Sequence, residues 1–433
     1  MKRGIVLSGG GTKGAYEVGV WRALNELGID YQIVTGTSIG SINGALMAMQ
    51  DYERSEKMWL GMQMGDLMNE NYQRGHTVQG FLKSIFSPGE FMRSKISAGA
   101  VDNSPFPEFI HTNIDEEVIR KSPVDYGLVT VRNRDRKPFS LTKSMIPEGL
   151  LADYIIASSS VYPVFPMHLI GEEYYIDGMY HDNLPIDLAV SMGAGELIVV
   201  DLHQEAQHPD YEGRPYVTYI TPSEDLGGIL AFDPVRIRKN IEMGYRDAMR
   251  SFGKYKGYVY CFRPESLSGF DSAVERYNLY CAVGQATANL NAKTKLKKKM
   301  DVNQMFRLIE KYARGHAVQK EDYFIRGAEI AAEVCGLSHE TIWDMKDLVD
   351  AVKEKIGPAE AYPDRTMFAC KKASTLYKRM KALKKEKDSL YLMGCLYHYD
   401  HNADPGYAIM REILWSLPKE LAGCLFVRAI EAC

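Results

Sequence analysis

The stretch VLSGGGTKGAY, Val6 to Tyr16, decides how the fold begins. A short apolar run leads into three consecutive glycines, and a lysine and a fourth glycine precede apolar residues at helical spacing, which end at Gly28. Glycines between a strand and a helix let the backbone approach a ligand closely, because no side chain intervenes. The stretch therefore predicts a strand, a loop that holds a negatively charged group, and a helix.

Two kinds of anion suit this loop. Gly9, Gly11 and Gly14 satisfy the GxGxxG pattern of dinucleotide-binding proteins. That interpretation needs an acidic residue at the end of the second strand, but Asp30 comes before that strand. In the alternative, an oxyanion loop, backbone N–H groups of Gly10 and Gly11 donate to the tetrahedral oxyanion of a reacting ester. We favour the oxyanion loop and keep nucleotide binding as the alternative.

The second motif is GTSIG at residues 36–40, which matches the GxSxG pattern. In that pattern a strand turns sharply into a helix, and Gly36 and Gly40 remove side chains that would collide at the turn. Ser38 is then held at the helix N-terminus, where N–H groups and the helix dipole favour negative charge. The motif predicts Ser38 as a nucleophile that attacks an ester carbonyl.

A serine nucleophile needs a base to accept its proton. Asp177 follows a strand-like run and precedes Gly178, which suits a carboxylate displayed at a strand end. A desolvated carboxylate with a raised pKa can take the Ser38 proton directly. Asp182 and Asp187 are competing carboxylates, for which capping of the following loop and helix is the simpler explanation.

A triad that includes histidine is a further possibility for the base. Ser38 and Asp177 with His181 or His203 would keep the chain order Ser-Asp-His. The common triad fold places several strands before its nucleophile, whereas only 37 residues precede Ser38. We therefore expect a Ser/Asp dyad and predict that His168, His181 and His203 are surface or core residues.

Taken together, the glycine loop, the GTSIG motif and Asp177-Gly178 resemble the patatin-like phospholipase family, whose members are lipid acyl hydrolases with a Ser/Asp dyad. The segments Ala157-Ser158-Ser159 and Asn183-Leu184-Pro185 also look like family blocks, and the resemblance extends from about residue 4 to residue 248. It implies an α/β fold, a three-layer α/β/α domain with a mostly parallel central sheet. It also implies a phospholipid or other acyl-lipid substrate and no metal or organic cofactor.

Matching positions carry the family's site onto this sequence. The resemblance makes Ser38 the nucleophile and Asp177 the base. The implied oxyanion loop is Gly9, Gly10 and Gly11, and the residues that support the motifs are Lys13, Gly14, Gly36, Gly40 and Gly178. Lys13 stands where most members have arginine, so the charge is kept but the bidentate geometry is not. Met179 stands where a small residue usually follows Asp-Gly.

Composition sets the class of the protein. The 433 residues are 45% hydrophobic and 25% charged, as in ordinary globular proteins. A net charge of −4 argues against nucleic acid as a partner. All seven cysteines lie beyond residue 260 without metal-ligand spacing, which predicts small, buried, reduced residues of a cytoplasmic protein. The first apolar run is too short for a secretory signal, and no segment has the roughly 18 apolar residues of a membrane span.

Strand and helix patterns alternate over the first half of the chain, as in a mostly parallel sheet covered on both faces. Later strands are predicted at residues 126–131, 173–176, 196–202 and 258–262. After the basic stretch at residues 292–299 the pattern is helical, with one helix face running from Ile342 to Ile356. We therefore predict an acyl hydrolase domain over residues 1–299 and a helical C-terminal domain over residues 300–433.

Two segments have two interpretations each. The Met- and Phe-rich region between residues 59 and 107 suits a lid or an acyl-chain pocket, and equally plain core packing. The basic segment at residues 370–388 suits an interfacial helix on anionic lipid, but a solvated face of a packed helix is the interpretation we favour. Peripheral contact with a membrane surface stays open, as does a catalytically silent membrane-surface adaptor.

Overall fold

The computed structural model describes residues 1–68, 102–290, 306, 307, 309, 319–369, 373–399 and 416–431. The chain divides into two compact units, Met1–Ser251 and Phe252–Cys433. This division comes earlier than the boundary at residue 300 that the sequence suggests. The basic stretch behind that suggestion lies outside the described residues, and the helix before it, Asp271–Leu290, falls in the second unit.

An eight-stranded mixed sheet forms the centre of the first unit. Its strands are β1 (Lys2–Leu7), β2 (Ile33–Thr37), β3 (Asp125–Arg132), β4 (Lys137–Thr142), β5 (His168–Ile170), β6 (Glu173–Asp177), β7 (Ala194–Val200) and β8 (Val217–Ile220). Strands β3, β2, β1, β7 and β8 lie side by side and parallel. Strands β4 and β6 pair with β3 in the antiparallel sense, and β5 pairs with β6 in the same way.

Helices cover both faces of this sheet. They are α1 (Ala15–Glu26), α2 (Ile39–Met49), α3 (Tyr52–Gly61), α4 (Pro105–Asn113), α5 (Glu116–Lys121), α6 (Leu151–Ser158), α7 (Ile186–Ser191) and α8 (Pro234–Ser251). On one face, Gly44 of α2 approaches Val34 and Leu7, and on the other, Ala189 of α7 approaches Gly4. The predicted three-layer α/β/α arrangement is therefore confirmed, with the parallel strands at its centre.

The second unit is mainly helical. It contains α9 (Asp271–Leu290), α10 (Lys320–Val334), α11 (Met345–Ile356), α12 (Ala373–Glu386), α13 (Ser389–Tyr397) and α14 (Pro418–Glu431). Helix α11 confirms the predicted apolar face and ends at Gly357, whose φ is 66°. The prediction is wrong at Ile342, which lies in a two-residue strand, β10 (Ile342–Trp343), paired with β9 (Cys261–Phe262). Only the end of the strand predicted at residues 258–262 forms, and it lies in this unit.

The core of the second unit accounts for two further predictions. Five cysteines are buried, as predicted: Cys261, Cys281, Cys335, Cys395 and Cys424. Cys370 and Cys433 lie outside the described residues. Leu376 and Met380 of α12 are also in this core, so the apolar face of the basic helix is already covered. Among the described residues, no helix is both long and apolar enough to cross a membrane.

Candidate active site

Ser38 occupies a strained turn between β2 and α2. Its φ of 55° and ψ of −126° fall in a region that residues other than glycine rarely adopt. The glycines on either side are sterically required: a Cβ on Gly36 would lie 2.1 Å from the Gly40 carbonyl oxygen, and one on Gly40 would lie 2.6 Å from that of Leu7. The GTSIG motif thus forms the strand-turn-helix geometry of a nucleophile elbow.

Ser158, at the end of α6, holds this turn in place. The backbone N–H of Ser38 donates to the Ser158 hydroxyl oxygen at 3.0 Å, and that hydroxyl donates to the Val129 carbonyl at 2.7 Å. On the other side, the Ser41 hydroxyl donates to the Ser38 carbonyl at 2.6 Å. Both backbone polar groups of Ser38 are therefore satisfied, so the strained conformation is fixed by its surroundings.

The sheet brings Asp177 to this turn. The last pair between β2 and β3 is Thr37 with Val129. The next residue of β3, Thr130, pairs with Asp177, the last residue of β6. Because β4 occupies the other edge of β3, β2 and β6 share one edge and meet there with their C-terminal ends facing each other. A Cβ on Gly178 would lie 2.9 Å from Thr37 Cγ2, which shows how closely the two ends approach.

The Asp177 carboxyl is fully buried. Its Oδ1 accepts the backbone N–H of Met179 at 2.8 Å, whereas Oδ2 has no hydrogen-bond partner within the described part of the chain. Burial raises the pKa of Asp177 to about 7, and the Met179 N–H and the Ser38 hydroxyl oppose this rise to a smaller extent. At neutral pH the carboxyl is thus balanced between its two protonation states, as suits a general base.

The glycine loop offers two backbone donors. The N–H of Gly9 donates to the Asn183 carbonyl at 3.0 Å, but those of Gly10 and Gly11 donate to no acceptor among the described residues. Gly9 is needed for space instead, because its Cβ would lie 2.3 Å from Asn183 Oδ1 and 3.1 Å from Ser38 Cβ. Within the described part of the chain, the Gly9 N–H is thus paired and those of Gly10 and Gly11 are not, while the oxyanion role of the three glycines stays a prediction.

The remaining motif residues support this arrangement. A Cβ on Gly14 would lie 2.6 Å from Ile39 Cγ1, so Gly14 lets the loop pack on the start of α2. A Cβ on Gly178 would lie 2.2 Å from the Val129 carbonyl oxygen. Lys13 is partly buried and lines the cavity above Ser38 together with Met179.

The competing acids and histidines have other partners. Asp182 Oδ1 accepts the Leu184 N–H at 3.1 Å, and Asp187 accepts the Tyr211 hydroxyl at 3.2 Å. His168 pairs with Asp153 at 2.9 Å, and His181 is exposed. His203 Nδ1 lies 3.0 Å from Asp201 Oδ1. The structure thus gives neither His181 nor His203 a hydrogen bond to Asp177.

The positions of His203 and Asp30 bear on two of the alternatives left open by the sequence. His203 lines the same cavity as Ser38, which sequence reasoning did not anticipate. Asp30, the acid that a dinucleotide would need, is exposed and precedes β2. Since β1 and β2 are parallel, Asp30 lies at the opposite end of the sheet from the glycine loop, which follows β1. This separation argues against the nucleotide alternative.

Ser38 opens into an apolar cavity of about 1000 Å³, measured with its mouth. Its lining includes Trp59, Met62, Leu67, Phe106, Phe109, Val161, Val164, Phe165, Ile229, Leu230 and Phe232. Four of these belong to the Met- and Phe-rich region, so its described part contributes to the cavity wall, while Phe81, Phe86, Phe91 and Met92 lie outside the described residues. The mostly apolar lining gives the cavity the character of an apolar ligand site.

Asn43 is a site residue that sequence reasoning missed. Its Nδ2 donates to the Gly14 carbonyl at 3.0 Å and to Glu17 Oε2 at 2.7 Å, and its Oδ1 accepts the Trp59 indole N–H at 2.9 Å. Asn43 therefore joins the end of the glycine loop to α1, α2 and α3. The sequence signal for it was a side-chain amide among the small and apolar residues of α2.

The fold and the site define an α/β protein with a nucleophile elbow, an adjoining buried carboxyl and a glycine-rich donor loop. Residues 5–190 match the family model of the patatin-like phospholipases. The resemblance stated from the three motifs is confirmed over these residues.

Two curated relatives illustrate the match. The chain is 30% identical over 203 residues to patatin-like phospholipase domain-containing protein 6 of Mus musculus, which covers 46% of this chain and 13% of that protein. It is 28% identical over 208 residues to lysophospholipase NTE1 of Mycosarcoma maydis, covering 47% of this chain and 10% of that protein. The aligned region is thus a small part of each of these relatives.

Two solved structures are also similar. VipD from Legionella pneumophila is 12% identical with a TM-score of 0.39, and the alignment covers 97% of this chain and 91% of that one. The type III effector protein ExoU is 13% identical with a TM-score of 0.31, covering 96% and 93% of the two chains.

Proposed function

We propose that this chain is a serine lipid acyl hydrolase of the phospholipase A or lysophospholipase type, which cleaves carboxylic ester bonds of phospholipids or related acyl lipids. The proposal is carried by the buried Oδ2 of Asp177, which lies beside the strained Ser38 turn and has no hydrogen-bond partner among the described residues. A buried carboxyl oxygen without a partner costs stability, and a catalytic proton acceptor explains why one is kept. The family match and the names of the relatives agree with this chemistry.

Acylation begins with Ser38 Oγ attacking the ester carbonyl carbon while its proton moves to Asp177 Oδ2. The oxyanion that forms accepts hydrogen bonds from the N–H groups of Gly10 and Gly11. Removing one such donor typically raises the barrier by about 3 kcal/mol. When the intermediate collapses, the C–O bond to the leaving alcohol breaks and Asp177 returns the proton to that alcohol, which leaves an acyl ester on Ser38.

Deacylation uses the same groups, with water as the nucleophile and Ser38 Oγ as the leaving group. Asp177, ionised again, takes a proton from a water molecule that attacks the acyl carbon, and the donor loop stabilises the second oxyanion. Collapse breaks the bond to Ser38 Oγ, which recovers its proton from Asp177, and a fatty acid leaves. The apolar cavity next to Ser38 suits the acyl chain, and the first unit, Met1–Ser251, holds every group involved.

The test is intact-protein mass spectrometry after treatment with an alkyl fluorophosphonate, followed by peptide mapping. We expect one adduct on Ser38, formed with release of fluoride. The adduct should be absent in Ser38→Ala and much slower to form in Asp177→Asn. Asp182→Asn is the matched control, because it neutralises a neighbouring carboxylate whose role is to accept the Leu184 N–H.

Each result has a definite meaning. Labelling of Ser38 that slows in Asp177→Asn but not in Asp182→Asn supports the dyad and leads to a screen of phospholipids and lysophospholipids for fatty-acid release. Folded wild-type protein that forms no adduct, or an adduct that persists in Ser38→Ala, contradicts the proposed nucleophile.

A further inference from the structure

Thr12 lies between the glycine loop, Gly9 to Gly11, and the wall of the cavity next to Ser38. It is buried, and it directly follows the two glycines whose N–H groups are the proposed oxyanion donors. Its contacts are with a segment distant in sequence, residues 226–232, which we call the clamp segment. This segment lies between β8 and α8.

Three hydrogen bonds join Thr12 to the clamp segment. The Thr12 N–H donates to the Ile229 carbonyl at 2.9 Å, and its hydroxyl donates to the Gly228 carbonyl at 2.9 Å. The same hydroxyl oxygen accepts the Ala231 N–H at 3.2 Å. The hydroxyl therefore uses its one proton and one lone pair on two different groups of the segment.

Gly11 is pressed against the same segment. A Cβ on Gly11 would lie 2.1 Å from the Ile229 carbonyl oxygen, and Gly11 has a φ of 60°. The direction of the Gly11 N–H thus depends on where the clamp segment stands. Because oxyanion donors act through precise placement, a small displacement of the segment changes their effect.

The clamp segment also forms part of the cavity. Ile229, Leu230 and Phe232 line it and are partly buried, and Leu230 and Phe232 pack against the buried cluster of Met68 and Phe165. A long acyl chain that enters the cavity covers these side chains and so stabilises the segment in its present position. A short acyl group does not reach the same contacts.

We propose that Thr12 is a positioning residue that couples the acyl chain in the cavity to the oxyanion donors, so that long acyl groups align Gly10 and Gly11 better than short ones. This rests on the proposed acyl hydrolase function. Coupling of this kind is reciprocal: a change that orders the clamp segment also orders the glycine loop, and a change that orders the glycine loop also orders the clamp segment. Thr12 thereby contributes to chain-length specificity without touching the ester.

The kinetic test compares p-nitrophenyl decanoate with p-nitrophenyl acetate. Thr12→Val keeps the shape but loses the hydroxyl, and we expect the ratio of kcat for decanoate to kcat for acetate to fall about tenfold. Thr12→Ser keeps the hydroxyl and should restore the wild-type preference. Thr35→Val is the control, since it removes a buried hydroxyl that donates to the Pro185 carbonyl at 3.0 Å, away from the clamp segment. Equal losses on both esters, or no loss, overturn the proposal.

A second measurement does not depend on esterase activity. Hydrogen exchange of the peptide covering residues 8–16 is followed with and without 1-dodecanol as the cavity probe. We expect 1-dodecanol to slow exchange in the wild type and in Thr12→Ser but not in Thr12→Val. If 1-dodecanol leaves residues 8–16 of the wild type unchanged, the coupling is overturned even when Ser38 is an active nucleophile. If the coupling is present and Ser38 is inert, the proposed function fails instead.

Discussion

The backbone N–H of Ser38 donates to the Ser158 hydroxyl, which places a residue 120 positions later in direct control of the strained turn. Ser158→Ala removes this acceptor and also the donor to the Val129 carbonyl. Leaving buried polar groups unpaired costs about 1–3 kcal/mol. We expect a folded variant with a lower free energy of unfolding in urea and a slower fluorophosphonate reaction at Ser38.

The chain offers a matched control for this change. Ser160 is also buried, and its hydroxyl donates to the Ile156 carbonyl of the preceding helix, α6, at 2.8 Å. Ser160→Ala should lose stability but react with fluorophosphonate close to the wild-type rate. Equal slowing in both variants would mean that Ser158 acts through stability alone.

With Asp177 as the proposed base, we expect the reaction to depend on pH near neutrality. Burial raises its pKa to about 7, and only the ionised carboxylate can accept the Ser38 proton. The rate of fluorophosphonate labelling should therefore rise with pH and level off above about 7. The residual rate of Asp177→Asn should lack this inflection. A wild-type rate that is constant between pH values well below and well above 7 would exclude Asp177 as the base.

The same shift affects stability, with the opposite dependence on pH. The pKa of Asp177 rises from 3.8 to about 7 on folding, so between these values the folded chain holds a proton that the unfolded chain releases. Stability from this group is present below the unfolded pKa and is lost as pH rises towards 7. At about 1.4 kcal/mol per pKa unit, the loss approaches ~4 kcal/mol.

Asp177→Asn removes that titration. Urea unfolding at pH 5 and pH 8 should show the variant gaining stability relative to the wild type at the higher pH. A difference in the free energy of unfolding that is the same at both pH values would contradict the raised pKa.

Local patterns predict the two halves of the site, but not how they meet. The β1-loop-α1 unit and the Ser38 turn follow from short apolar runs bounded by glycines, which leave few backbone alternatives. The approach of β2 and β6 along one edge of β3 depends on pairing between strands far apart in the chain, which no local pattern encodes. For the same reason, the sequence marked Ser158 only as part of a family block and not as a contact of Ser38, and it gave Asn43 no role.

The different hydrogen bonding of the three glycines in the loop could not be predicted from the sequence either. Gly9, Gly10 and Gly11 are the same residue type in consecutive positions. Gly9 differs because its N–H donates to the carbonyl of Asn183, which is 174 residues away in the chain. The two-residue strands β9 and β10 are too short to show a period of two, so the pattern around Ile342 resembled a helix.

Two glycines of α2 provide a steric test of the elbow. A Cβ on Gly40 would lie 2.6 Å from the Leu7 carbonyl oxygen and 2.8 Å from that of Ser8. Both are backbone atoms, so the main chain itself would have to move to make room. A Cβ on Gly44 would meet Val34 Cγ1 at 3.2 Å, a contact that a side chain can relieve. We expect Gly40→Ala to abolish labelling of Ser38 and Gly44→Ala to preserve it, as measured by intact mass on protein that circular dichroism shows to be folded. Labelling of Gly40→Ala at the wild-type rate would contradict the close packing of this turn.

The width of the cavity should decide which acyl chains reach Ser38. Val161 lines the cavity and is only partly buried, so Val161→Trp adds bulk to the wall without forcing it into the core. We expect this variant to hydrolyse p-nitrophenyl decanoate more slowly while retaining activity on p-nitrophenyl acetate, because the added ring occupies space that only a long chain uses. Leu169→Trp is the matched control, since Leu169 is 48% exposed and lies outside the cavity lining. If Val161→Trp lowers both rates equally, or neither, the acyl chain binds elsewhere than in this cavity.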